Sequence, residues 1–182
     1  MNKENIYDKL KPDIYKKIEK ILKGNKNILE IGCGNCKLVN FLAKYTSSKI
    51  IGIDISGKNF KKANKQAIKL GITNLVEYKK MDASHLDGFK DSIFNAVVMV
   101  YVLHGLDKPA LALKEIYRVL KNKGKILIVD FPRESEAEKI WKEKYFLPEK
   151  VKSILTQTKF NKIGIDFPYG RNFLMFASGQ KN

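Results

Sequence analysis

With 182 residues, 44% hydrophobic and 30% charged, the chain has the size and mixture of one globular domain, able to bury a core without disulfides or a structural metal. No apolar run approaches the ~20 residues of a membrane helix, the longest being Ala96 to Leu103, and no apolar signal-peptide core opens the chain, so a reducing cytoplasm is the expected compartment. A net charge of +16 suits anionic partners, yet Arg118, Arg133 and Arg171 are the only arginines, and the surplus is shared by both halves (19 basic to 10 acidic residues in 1–91, 16 to 9 in 92–182), with no basic arm or tail.

Ile6, Leu10, Ile14, Ile18, Ile21 and Leu22 recur near helical spacing and predict an amphipathic helix over 6–22. Asn27 to Ile31 is a short apolar run stopped by Gly32 and Gly34, a strand entering a tight turn. A helix over 37–45, a strand over 49–53, a helix over 58–70 closed by Gly71 and a short strand over 75–78 follow. Phe94 to Val100 is almost continuously apolar, as in a strand buried on both faces. Pro109 opens a helix over 109–120, Gly124 follows its end, and 125–130 reads as a fifth strand. Beyond Asp130 the pattern predicts helices over 134–145 and 148–157. Strands over 163–167 and 173–177 then form a hairpin about Pro168-Tyr169-Gly170. Strands alternating with helices imply βαβ units and a parallel sheet. One α/β domain over 1–182 is expected: an N-terminal helix and lid (1–24), a ligand-binding core (25–131), and a lid helix with a closing hairpin (132–182).

Ligands in such sheets bind at the C-terminal ends of the strands, near the point where strand order reverses. The loops after Ile31, Ile53, Tyr78, Val100 and Asp130 are therefore the ones that matter. In the first, Gly32 and Gly34 allow close backbone approach to a ligand. Asp54 ends the second strand twenty residues after Gly34, where a carboxylate can accept from a ribose diol, and the third loop supplies Asp82-Ala83. A dinucleotide site would put a small residue at position 37, where Lys37 stands, and no phosphate-cradling G-x-x-x-x-G-K-[ST] loop is present.

The segments ILEIGCGN, IIGIDIS, KKMDAS, FNAVVMVYVLHGL and ALALKEIYRVLKNKGKILIVDF together resemble a class I S-adenosylmethionine-dependent methyltransferase. Their style is similar to the small-molecule branch that includes the ubiquinone/menaquinone C-methyltransferases. By motif the resemblance covers roughly 25–131. It implies a doubly wound, Rossmann-like, seven-stranded sheet, mostly parallel, with an antiparallel last strand between its neighbours and helices on both faces. It also implies that S-adenosyl-L-methionine is the cofactor and S-adenosyl-L-homocysteine the product. Glu30, Gly32, Cys33 and Gly34 would line the methionine part, Asp54 would bind the ribose hydroxyls, and Ile55 would pack on adenine. Asp82 and the Ala83 backbone would pair with the adenine edge, and Val100 would meet the methionine arm. Two departures stand out: Cys36 replaces a customary glycine, with tolerance expected, and Asn95 replaces an aspartate, weakening a structural hydrogen-bonding position.

Cys33-Gly-Asn-Cys36 is formally C-x-x-C, but no second Cys/His cluster completes a zinc site, so no metal is expected. His85 reads as an exposed loop residue. His104 follows the fourth strand on the reactive side and is the leading candidate to orient the acceptor or take its proton, ahead of Tyr101 and Asp107. By family analogy the N-terminal and 134–145 segments cover the acceptor, with Tyr7, Tyr15, Trp141 and Tyr145 as apolar walls. After the fourth strand stands YVLHGL rather than an N-P-P-Y-type motif, and no cysteine is placed for pyrimidine C5 chemistry or an arsenic relay. The expectation is methyl transfer to a small-molecule or lipid-like acceptor. The alternatives are an RNA or protein acceptor met by the basic surface, or a non-catalytic cofactor-binding module. The sequence sets no oligomeric state.

Overall fold

The structure is a computed structural model that describes the backbone from residue 6 and the side chains from residue 9, through residue 182. Seven strands form one sheet: β1 (Asn27–Ile31), β2 (Lys49–Asp54), β3 (Val76–Lys80), β4 (Phe94–Val100), β5 (Leu120–Asp130), β6 (Asn161–Asp166) and β7 (Met175–Gln180). Their order is β3-β2-β1-β4-β5-β7-β6. The first five run parallel, and β7 lies antiparallel between β5 and β6. After β3 the chain returns to the other side of β1. This opens a crevice at the C-terminal ends of β1 and β4, the place such sheets use for ligands.

The side-chain period of two sorts the central strands cleanly between two cores. Ile28, Ala96, Val98, Leu127 and Val129 face α1 (Ile6–Leu22), α2 (Lys37–Thr46) and α3 (Phe60–Leu70). Leu29, Ile31, Val97, Met99, Ile126 and Ile128 face α4 (Pro109–Val119) and α6 (Pro148–Gln157). The α1 stripe is buried through Ile14, Ile18 and Leu22, each worth roughly 1.5–3 kcal/mol when removed from water. No helix among the described residues is long and apolar enough to cross a membrane.

Two expectations need correction. The helix over 134–145 shrinks to α5 (Glu136–Trp141), because Lys142 turns left-handed (φ 57°) and donates its N–H to the Glu138 carbonyl at 2.9 Å. The chain then doubles back, and the Arg133 N–H reaches the Phe146 carbonyl at 3.0 Å. The closing strand starts at Met175 rather than Phe173, since its register against Lys125–Asp130 is what sets its limits. Asn95, expected to be the weaker residue at a structural hydrogen-bonding position, accepts the Asn27 N–H through Oδ1 at 3.2 Å.

The segment leading from β3 to β4 is tied down by Arg118 on α4. Its Nε and Nη2 bind the Glu115 carboxylate at 2.9 and 2.8 Å, and its Nη2 also donates to the Leu86 carbonyl at 3.0 Å. Nη1 reaches the Phe89 carbonyl at 2.9 Å and Asp91 at 2.8 Å.

Candidate active site

The first loop is shaped by what its glycines lack. A Cβ on Gly32 (φ 66°) would lie 2.4 Å from Cγ2 of Val102, so only glycine lets β1 pass the segment after β4. Gly34 (φ 50°) faces open space instead, leaving its backbone bare to anything bound above it. Asp54 fastens this loop to β2. Its Oδ2 accepts the Gly34 N–H at 2.8 Å and its Oδ1 accepts the Ser56 N–H at 2.8 Å. Asn59 adds a bond to the Gly34 carbonyl at 3.1 Å. Each Asp54 oxygen keeps a further lone pair for a hydroxyl.

Cys36 sits at the start of α2 in the left-handed region (φ 56°), which explains why a glycine is customary there. Its side chain is fully buried, and its sulfur lies 3.2 Å from that of Cys33.

Behind the loop, Glu30 is 4% exposed and its Oε2 has no hydrogen-bond partner among the described residues. Burial pushes its carboxyl well above the usual range, and the neighbouring Cys36 and Asp54 push the same way, against the Val39 N–H.

Three cavities meet here. One, of about 170 Å³, is bordered by Glu30, Gly32, Cys33, Gly34 and Val100, with Lys11 and Tyr15 of α1 on its far side. A second, of about 320 Å³, is bordered by Gly32, Asp54, Ile55, Asp82 and Ala83. Asp82 is ordered by the Ser84 N–H at 2.7 Å, and Ile55 stands exposed at the rim. The third, of about 260 Å³, is walled by Phe131, Trp141 and Tyr145, with His104 and Glu143 as its polar groups and Lys11 at its side. Tyr101 borders all three. It stacks on Phe131 at 4.7 Å and 12° between planes, and holds a left-handed backbone (φ 61°) that costs about 1–3 kcal/mol for a non-glycine residue.

His104 is gripped at both nitrogens. Nδ1 lies 2.9 Å from Oδ1 of Asp130, and Nε2 lies 2.6 Å from Oε2 of Glu143. Asp130 is 2% exposed at the end of β5, and also accepts the His104 N–H at 3.1 Å and the Phe131 N–H at 2.9 Å. Burial works to lower the His104 pKa, but the bonds and charges of Asp130 and Glu143 outweigh it and hold the ring above its ordinary value.

Eleven of the residues singled out in the sequence border this crevice: Glu30, Gly32, Cys33, Gly34 and Val100 at one end, Asp54, Ile55, Asp82 and Ala83 at the other, Tyr101 between, and His104 in the aromatic cavity. Asp107 is exposed and borders none of them. His85 is exposed, 3.9 Å from Asp82. Tyr15, Trp141 and Tyr145 do line cavities, whereas the Tyr7 side chain lies outside the described residues. Asp130 and Glu143 escaped sequence reasoning. Asp130 had a usable signal, an acid at the C-terminal end of a parallel strand, but Glu143 is one acid in a charged run.

Known proteins agree with this architecture. Residues 29–128 match the family model described as "Methyltransferase domain". The demethylmenaquinone methyltransferase of Lactiplantibacillus plantarum is 32% identical over 111 residues, which is 60% of this chain and 46% of that protein. The sterol 4-C-methyltransferase strm-1 of Caenorhabditis elegans is 28% identical over 124 residues, 68% of this chain and 36% of that protein. The chain thus spans less than half the length of each of these relatives. Among solved structures, the YcgJ protein of Bacillus subtilis superposes with a TM-score of 0.76 at 14% identity, covering 94% of this chain and 99% of that one. The [4+2]-cyclase SpnF reaches 0.80 at 18% identity, covering 93% and 80%. These structural likenesses speak for the fold alone. The sequence match over more than half the chain settles the kinship: the protein belongs to the methyltransferase domain family, whose cofactor is S-adenosylmethionine.

Proposed function

We propose that this chain methylates a small molecule held in the aromatic cavity, with His104 orienting it or receiving its proton. The observation that carries the reading is the shared wall at Tyr101, which sets the aromatic cavity directly against the two cavities of the glycine crevice.

The residues present fit S-adenosylmethionine. The unpartnered, buried Glu30 Oε2 is an acceptor in want of a donor, which an ammonium would supply, and the bare backbone at Gly34 leaves room for the ligand. Asp54 would hold the ribose hydroxyls, Asp82 and Ala83 the adenine edge beneath Ile55, with Gly32, Cys33 and Val100 along the methionine arm. When bound, the cofactor supplies a methyl group on a sulfonium, already activated toward nucleophiles.

The chain's remaining task is alignment, which alone is worth ~7–11 kcal/mol, plus removal of a proton where the acceptor is a hydroxyl or an acidic carbon. Carboxylates are acceptors only, so Asp130 keeps a hydrogen on Nδ1 and leaves Nε2 as the exchanging atom. With Glu143 also in place, both carboxylates favour the protonated ring. An acceptor entering the cavity displaces the half-exposed Glu143, removes one of the two carboxylates that raise the histidine pKa, and frees Nε2 to take a proton. Activity then rises with pH through the His104 pKa, and the kcat/KM limb, which reports the free enzyme, lies above the ordinary histidine value of ~6.5.

The test is incubation with labelled S-adenosylmethionine and a metabolite extract, with and without ribonuclease, for wild type and His104→Ala. Ribonuclease-resistant label, lost at least tenfold in the variant while calorimetric cofactor affinity stays the same, supports the reading. Equal turnover in both proteins removes His104 from the chemistry. One observation favours a second acceptor class, RNA. Between Glu30 and Glu77 the chain has eight lysines and one acid, and Lys37, Lys44 and Lys62 border a groove of about 560 Å³ between α2 and α3, beside Phe41 and Tyr45. Ribonuclease-sensitive label would favour it, together with RNA affinity falling steeply as salt rises.

A further inference from the structure

Cys33 serves the site just described only as lining and Cys36 not at all, yet they are the chain's only sulfhydryls and their sulfurs touch. We infer that Cys33 and Cys36 form a reversible disulfide under peroxide, and that this bond switches off cofactor binding by reshaping the loop between them. The inference rests on the S-adenosylmethionine reading for its consequence, though not for the disulfide itself.

Four features bring the pair to this point. The sulfurs are 3.2 Å apart, and the Cys36 N–H closes a tight turn onto the Cys33 carbonyl at 2.6 Å, so both side chains leave one short arc of backbone. Gly52 on β2 makes the slot: a Cβ there would stand 3.0 Å from the Cys33 sulfur. No group of three His, Cys, Asp or Glu side chains able to hold a metal occurs among the described residues, which leaves the thiols without a shared metal to justify their contact. Finally, Cys33 borders the cavity of about 170 Å³ beside Glu30 and Gly34, and the buried Cys36 sulfur lies 3.2 Å from its own.

The two sulfurs are unequal nucleophiles. The hydrogen bond from Cys33 favours the Cys36 thiolate and lowers its pKa against the effect of burial, while the same bond, burial and the nearby Glu30 push the Cys33 thiol up, so Cys36 is the better nucleophile. Its thiolate attacks one peroxide oxygen, the O–O bond breaks, the departing hydroxide takes up a proton to leave as water, and Cys36 becomes a sulfenic acid. The Cys33 sulfur, 3.2 Å away, then attacks the Cys36 sulfur as it gives up its hydrogen, the S–S bond forms, and the hydroxyl leaves with that hydrogen as a second water. Both thiol hydrogens and two electrons have passed from sulfur to peroxide.

The consequence for the loop follows from distance. A disulfide needs ~2.05 Å between sulfurs, so the pair must close by about 1 Å. The residues spanned by that closure are Gly34 and Asn35, and Gly34 is bonded through its N–H to Asp54 and through its carbonyl to Asn59. Moving this peptide disturbs the bare backbone and the ribose-facing carboxylate together. By reciprocity, bound cofactor must resist the oxidation as strongly as oxidation resists the cofactor.

The experiment treats the protein with hydrogen peroxide, counts thiols and measures mass, then titrates S-adenosylhomocysteine by calorimetry before and after oxidation. Expected are loss of both thiols, a mass lower by two hydrogens with no dimer, and affinity at least tenfold weaker that dithiothreitol restores. Saturating S-adenosylhomocysteine should slow the thiol loss. Cys36→Gly, which suits the left-handed backbone at that position, should never give the product lighter by two hydrogens. Two thiols surviving peroxide, or an interchain link instead, overturn the disulfide. An intrachain disulfide with affinity within twofold of the reduced protein overturns the switch alone. Reduced protein that fails to bind S-adenosylhomocysteine overturns the cofactor reading and the switch with it.

Discussion

Replacing Asp130 by asparagine isolates the carboxylate's charge and geometry from its volume. The wild-type carboxylate faces donors only: the His104 ring at 2.9 Å, the His104 N–H at 3.1 Å and the Phe131 N–H at 2.9 Å, all at a residue 2% exposed. Asparagine brings one oxygen and one NH2 group. If the oxygen stays with Phe131, the NH2 meets the His104 N–H, donor against donor, and one buried backbone group goes unpaired at about 1–3 kcal/mol. At roughly 2–4 °C per kcal/mol for a domain of this size, the melting temperature falls by several degrees. The NH2, in the place of Oδ2, also lies 3.0 Å from Nδ1, while the retained oxygen stays 2.9 Å from it; the Nδ1–H form loses one of its two acceptors and its countercharge, and the Nε2–H form, in which the NH2 donates to Nδ1 and Nε2 can no longer act as a base, gains. Turnover should drop by ~10²–10⁴, with cofactor affinity nearly unchanged. Nitrogen-15 NMR of the histidine reads the tautomer directly and needs no acceptor: wild type should show Nδ1–H in the neutral ring, the variant Nε2–H, with a histidine pKa below that of wild type. An unchanged tautomer and pKa in a folded Asp130→Asn protein would refute this account of the dyad.

Asp54→Ala should weaken S-adenosylhomocysteine binding by about 1–3 kcal/mol in calorimetry, since two ribose hydroxyls and the Gly34 N–H lose their acceptor; equal affinities would sink the assignment. Gly34→Val should abolish detectable binding, because the branched side chain fills the space above the loop and the φ of 50° strains any non-glycine residue; normal binding by a folded variant would show that the ligand does not pass there. Glu30→Gln should move stability and affinity in opposite directions. A carboxyl whose folded pKa is raised loses stability as pH climbs from its unfolded value of ~4.3 toward the folded one, so the amide should raise the ligand-free denaturation midpoint at neutral pH while weakening S-adenosylhomocysteine binding. A midpoint lowered by the amide would mean that Glu30 is paired in the free protein.

The parts legible in the sequence were those written in local patterns. Phe94–Val100 had to be a doubly buried strand, and the Gly32–Gly34 turn, Asp54 and Asp82 fall at the ends of successive parallel strands, which is why they converge. What stayed hidden depends on contacts distant in sequence. Asp130 became part of the site only because β5 lies beside β4 and brings its last residue to the His104 ring, twenty-six positions away in sequence. The shortened α5 was unreadable for a similar reason. Its charges favour a longer helix, and it ends where the chain must turn back to pair with Arg133 and lay Tyr145 against Phe131, 5.3 Å between ring centroids. The charge was hard to place for the same reason: it is even between the halves of the chain, and only the fold brings Lys37, Lys44 and Lys62 to one groove between α2 and α3.

Composition is an average, and Arg118 marks where the average gives way to geometry. In a chain with thirty-two lysines and three arginines, the position that draws together Glu115, Leu86, Phe89 and Asp91 carries a guanidinium. It makes five hydrogen bonds at once, as many as a planar fork can donate; an ammonium, with three hydrogens on one atom, would leave at least two of those acceptors waiting. The lysine-rich surface therefore gives way to a guanidinium at the knot that ties the segment between β3 and β4 to α4, where the direction of each hydrogen matters more than the sign of the charge.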